Sequence, residues 1–173
     1  MHYYSKINSI EEIAENTHGI IDGINVSEII REFFTNSPDD ENGNPLYGTP
    51  KNISREGCLA LALKSNQVGG PAKGHLVWNA WRTTCQFNEN RVDFSGRDFH
   101  KPCINFAGFY FGNFANFKDS FGGDNTNFKG AQWGRNACFQ NTQWGNGANF
   151  EGTRWGEGAN FRGSVWGLSL IHI

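Results

Sequence analysis

From Asn127 to Gly167 the chain repeats itself every eleven residues: NFKGAQWGRNA, CFQNTQWGNGA, NFEGTRWGEGA, NFRGSVWG. Aromatic residues fall at Phe128, Trp133, Phe139, Trp144, Phe150, Trp155, Phe161 and Trp166, in steps that alternate between five and six. Upstream, Phe106, Phe111 and Phe117 keep this register, Gly122 fills the next slot beside Phe121, and Phe94 and Phe99 stand five apart. No helix presents such a pattern, because a mean step of 5.5 fits no helical face. Glycine at this density would also cost a helix roughly 1 kcal/mol per residue.

The residue two places before each aromatic is nearly always small, as at Ala115, Thr126, Ala131, Ala137, Thr142, Ala148, Thr153, Ala159 and Ser164. On an extended segment, residues two apart point the same way. A small and a large side chain therefore share one interior, while Lys118, Lys129, Gln140, Glu151 and Arg162 face water. Gly108, Gly130, Gly152 and Gly163 mark places where the chain turns. The extra residue of each six-step, beside Gly147 or Gly158, is expected in a bulge or wider corner. Extended pieces too short to bury their own faces must stack, which describes a solenoid.

The motif Ala-Asn-Phe-x-Gly, as in Ala148-Asn149-Phe150-Glu151-Gly152 and Ala159-Asn160-Phe161-Arg162-Gly163, resembles the pentapeptide-repeat family in its alternating five/six variant. The resemblance covers Asp93 to Gly167. It implies a right-handed quadrilateral β-helix in which two eleven-residue units make one coil of about 22 residues. The expected core is Phe94, Phe99, Phe106, Phe111, Phe117, Phe128, Trp133, Phe139, Trp144, Phe150, Trp155, Phe161 and Trp166. The chain departs from the family in placing Trp where Leu or Phe is usual. We expect these indoles to face inward, into the room left by the small residues. Gly122 beside Phe121 breaks the register, so the coil at 118–126 is expected to be irregular. Trp78-Asn79-Ala80-Trp81-Arg82 is similar to the short Trp-containing helix that often precedes such repeats, and Trp78 and Trp81 are assigned to a capping helix.

Residues 1–90 carry no repeat. Ser9 with Glu12, and Asn25 with Glu28, are capping signatures for helices near 10–17 and 26–34. Thr35 to Asn52 reads as a loop, Leu59 to Leu63 suit a helix near 54–66, Val68-Gly69-Gly70-Pro71 breaks it, and a last helix spans 73–84. The expected chain is α+β: a small helical domain at 1–70, a Trp-containing capping helix and linker at 71–92, and a β-helix at 93–167. Leu168-Ser169-Leu170-Ile171-His172-Ile173 breaks every preceding pattern. It reads as a translation of a string that resembles the mosaic end of a transposase-based sequencing adapter. We set these residues aside and expect the native chain to run on past Gly167.

The start of the chain lacks the apolar stretch of a signal peptide, and no window is apolar enough to span a bilayer. Cys58, Cys85, Cys103 and Cys138 fit no metal or redox spacing, so free thiols in a reducing cytoplasm are expected. His100 with Cys103 lacks the third group a nucleophile needs. Gly69-Gly70 with Lys73 lacks the spacing of a phosphate loop, and Asp39-Asp40-Glu41 lacks that of a calcium loop. We expect no catalytic residue, no metal and no cofactor. The reading is a cytoplasmic, bacterial, non-enzymatic interaction or scaffold module with an unidentified protein partner, able to self-associate through an uncapped C-terminal end.

Three alternatives stand beside that reading. The family resemblance allows a DNA mimic that binds a type II topoisomerase. However, residues 91–167 carry eight positive and six negative side chains, net +2, which mimics a polyanion poorly. Overall, 15 Lys+Arg against 17 Asp+Glu also make a nucleic-acid partner an unfavoured one. Glycan binding would need the Trp columns outside. A targeting segment of a longer protein is the third.

Overall fold

The computed structural model describes residues 19–84, 91–100 and 103–167. The helix expected at 10–17, Cys85 and the six terminal residues lie outside the described residues. Contacts divide the chain into two units, Met1–Asn90 and Arg91–Ile173.

In the first unit, a two-residue hairpin of β1 (Ile20–Ile21) and β2 (Ile24–Asn25) leads into helix α1 (Val26–Thr35). Asn25 caps α1: its Oδ1 accepts from the Glu28 N–H at 3.1 Å, and its Nδ2 donates to the Glu28 carboxylate. The stretch expected as a loop holds a second hairpin, β3 (Gly48–Thr49) with β4 (Asn52–Ile53). Before it, the Asp40 carboxylate accepts from the Asn42 and Asn44 N–H groups, both at 2.9 Å. Helix α2 (Arg55–Lys73) starts at Ser54, whose Oγ accepts from the Gly57 N–H. It runs further than its apolar run suggested. The break falls at Gly70, with φ 61° and ψ −163°, immediately before Pro71. Helix α3 (Leu76–Thr84) packs on both α1 and α2. Val26, Ile30, Phe34, Leu61, Val77 and Trp78 form the core of the unit.

The second unit is built from parallel pairs between residues mostly 22 apart, with Asp93–Asn116 and Asp98–Phe121 at 23. Strands β5 (Tyr110–Gly112), β6 (Phe121–Gly122), β7 (Gln132–Trp133), β8 (Gln143–Trp144) and β9 (Val165–Trp166) pair β5 with β7, β6 with β8, and β8 with β9. Single bridges such as Asn105 with Asn127, Asn127 with Asn149 and Cys138 with Asn160 repeat the spacing on other sides. The Phe106, Phe117, Phe128 and Phe139 N–H groups donate to carbonyls one turn on, at 2.7 to 2.9 Å. Among the described residues of this unit each strand pairs in parallel with one a full turn on or back, and none forms a hairpin, so stability comes from stacking, as expected of a solenoid.

Corners recur at two slots. Two residues after the Phe of each unit, Gly96, Gly108, Asp119, Gly130, Asn141, Gly152 and Gly163 have positive φ. So do Phe114, Asn125, Asn136, Gly147 and Gly158, three residues before a Phe, which is where each six-step spends its extra residue. The expected irregularity at 118–126 is not found: Phe121 pairs with Gln143 and Gly122 with Trp144 in unbroken register. Gly122 keeps the slot and merely omits the side chain. The register shifts instead between Tyr110 and Gly112.

Candidate interaction surface

The interior leaves little room for chemistry. Phe94, Phe99, Phe106, Phe111, Phe117, Phe128, Trp133, Phe139, Trp144 and Phe150 are all buried. They form columns of parallel rings. Phe106, Phe128 and Phe150 stack at 4.9 Å per step, and Phe94, Phe117, Phe139 and Phe161 at 4.8 to 5.3 Å. Phe111, Trp133 and Trp155 stack at 5.0 and 4.1 Å, the two indoles within 3° of parallel. Apart from the closer indole pair, these distances lie near the spacing of adjacent strands, so the backbone ladder sets the ring separation. In the fourth column a Cβ at Gly122 would collide with the Trp144 ring. The missing side chain is what admits that indole.

The tryptophans therefore point inward where they are enclosed: Trp133 is 4% and Trp144 3% exposed. Glycan binding by outward Trp columns loses its basis at these positions. The Nε1 atoms of Trp133 and Trp144 are buried without a hydrogen-bond partner, whereas that of Trp155 donates to the Thr153 hydroxyl at 3.1 Å. The small residues of the inner lining satisfy themselves locally. The Ser120, Thr142 and Thr153 hydroxyls donate to the carbonyl three residues back.

Sequence reading missed part of the lining. Val92, Ile104 and Phe109 occupy the slot that later units fill with small residues, and all three are buried. Their place two residues before Phe94, Phe106 and Phe111 was the available signal. The change from large to small along this slot accompanies the change from Phe to Trp in the stacks. Trp78 and Trp81, assigned to a capping helix, are buried on α3, 5.1 Å apart between ring centroids. The Trp81 indole donates to the Pro50 carbonyl at 3.0 Å, and the Trp78 N–H to Ser65 Oγ at 3.0 Å.

Outside, side chains stand in files 22 residues apart. Asp93, Asn105, Asn116, Asn127, Asn149 and Asn160 each accept, through Oδ1, from the N–H two residues on, closing a local turn. Cys138 replaces Asn in this file. Other side chains tie one turn to the next: Asn141 Nδ2 donates to the Asp119 carboxylate at 2.9 Å, and Lys129 pairs with Glu151 at 2.9 Å.

The candidates for chemistry do not assemble. His100 lies against the Gly123 backbone, Cys103 is exposed, and Lys73 reaches the Asp22 carbonyl. Among the described residues no three His, Cys, Asp or Glu side chains gather as metal ligands, and no helix is long and apolar enough to cross a membrane. Among the described residues, surface concavities remain. A groove of about 380 Å³ in the first unit is walled by Phe33 and Tyr47, stacked at 4.7 Å, with Leu63 and Lys64. An apolar recess of about 270 Å³ is lined by Phe150, Trp155, Phe161 and Trp166, the last three only half-buried. A third concavity surrounds Phe114.

Residues 128–165 match the family model described as Pentapeptide repeats (9 copies). The matched segment is similar to the repeats of that family. No curated protein and no solved structure matches the chain.

Proposed function

We propose that the protein works by binding, as a non-enzymatic interaction or scaffold module. Its second unit is read as a right-handed quadrilateral β-helix of about 22 residues per coil, a reading supported by the parallel pairs at that spacing. The observation that carries the function is the contrast between a ring-filled interior and a surface of regular files. Such a body offers a partner a rigid face whose side chains are fixed by the ladder beneath.

For the described residues, which reach Gly167, the partner we propose is a second copy of the same segment. The recess lined by Phe150, Trp155, Phe161 and Trp166 is almost wholly apolar, and every earlier layer of the interior is covered by rings of the next turn. Covering it with another copy removes that surface from water, which favours association. Sedimentation velocity tests this on the chain as it stands. We expect the mass to rise with concentration, and Trp166→Glu to hold the protein monomeric with unchanged circular dichroism. A wild-type monomer at every concentration would overturn the self-association, and an enzymatic turnover traced to this chain would overturn the wider reading.

A further inference from the structure

The corner slot three residues before each Phe takes Asn125, Asn136, Gly147 and Gly158, all with positive φ. Asn and Gly are the residues that tolerate this conformation; a bulky side chain there is an outlier. In one turn the slot holds Phe114, at φ 58°. Its N–H donates to the Arg135 carbonyl at 2.8 Å, so the ladder holds the strained backbone in place. The ring is left 40% exposed, whereas the rings of the interior are almost wholly covered. The Arg91 guanidinium lies over it, 4.8 Å from the ring centroid. Around the pair is a concavity of about 450 Å³ that also takes in Asn116, Lys118, Asn136 and Cys138. Its one carboxylate, Asp93, is engaged by the Ser95 N–H and the Asn116 amide. The Asn116 amide is itself spent on Asp93 and the Lys118 N–H, and the Lys118 ammonium stands 4.0 Å from the Asp119 carboxylate in an exposed pair. What is left to meet a partner is the Phe114 ring, the Arg91 guanidinium, the remaining donors of Lys118 and the Asn136 amide.

We propose that this patch docks an acidic segment of a partner protein, with carboxylates on Arg91 and Lys118 and an apolar side chain against Phe114. The proposal rests on the reading of the chain as a binding module, and it concerns a surface separate from the apolar recess. A strained backbone that leaves a large ring partly in water is uneconomical for folding alone, and strained positions concentrate where a surface is used. An exposed ring beside an arginine is the composition of an interface hot spot, and the excess of cations selects an anionic partner.

The test uses the full chain and fluorescence anisotropy. The probe is a fluorescein-labelled peptide alternating Glu and Leu. Its controls are the Lys-Leu counterpart and a labelled oligothymidylate. We expect saturable binding of the acidic peptide alone, weakened by added salt. Phe114→Asn should weaken it roughly tenfold or more, as should Arg91→Gln. Phe114→Asn should leave the melting temperature unchanged or raise it, since Asn is the residue the sister slots use. Absent binding, equal binding by Phe114→Asn, or preference for oligothymidylate would each overturn the proposal. So would a marked fall in melting temperature on Phe114→Asn, which would make the ring part of the fold. Self-association, measured separately, would survive any of these failures.

Discussion

At Gly122 a hydrogen stands where the other turns carry a ring, and the consequence is felt one turn on, where Trp144 fills the space. Gly122→Ala places a methyl into that indole. Overpacking of this kind costs about 1–3 kcal/mol. We expect a lower melting temperature, largely recovered in the double variant Gly122→Ala/Trp144→Leu. Additive losses would show that the two residues do not compete for one space. Cys138 is the complementary case. The Asn residues of its file close a turn through Oδ1, and a thiol offers only a weak acceptor. Cys138→Asn should gain one such bond, about 1 kcal/mol, seen as a raised denaturant midpoint with unchanged slope. A lowered midpoint would show that the thiol is needed for packing.

The elements differ in how far the sequence declares them. Helix α1 was legible because Asn25 and Glu28 carry a local capping signature, which the structure forms. The aromatic register was legible because each ring must meet the ring one turn on, so spacing in sequence becomes distance in space. The two hairpins of the first unit were not, since pairs such as Ile20–Ile21 with Ile24–Asn25 are too short to alternate visibly. Nor was Phe109, which breaks the small-residue rule where the register slips. Helix α3, expected at 73–84, is formed by Leu76–Thr84, and what no local pattern encodes is its tertiary anchoring, such as the Trp81 bond to Pro50. Trp81→Phe should cost about 1 kcal/mol for that bond. Ahead of α3 stands His75, whose pKa is lowered from its ordinary value of 6.5 by burial, with the Asp22 carboxylate pulling the other way. The folded state thus binds its proton less readily than the unfolded chain. Its stabilising contribution is complete above pH 6.5 and is lost as pH falls through the lowered value. Denaturation followed between pH 7 and 5 should show that loss, and His75→Gln should remove it. An unchanged slope in the variant would assign the dependence to other groups.

At the scale of the whole molecule, charge separates the halves. Residues 1–90 carry seven positive and eleven negative side chains, net −4, against net +2 for residues 91–167. Everything proposed about binding stands on the second unit being a stack with partners 22 residues apart, since that register alone brings distant surface residues into common files. Disulfide trapping tests it most directly. In a background lacking the four native cysteines, Lys129→Cys with Glu151→Cys replaces side chains that meet across adjacent turns at 2.9 Å. Parallel neighbours on adjacent strands lie within disulfide reach. We expect rapid intramolecular oxidation of this pair, and none for Lys129→Cys with Gln140→Cys, which stand in different files. Equal oxidation of both pairs, or of neither, would contradict the register and with it the surface on which the function is argued.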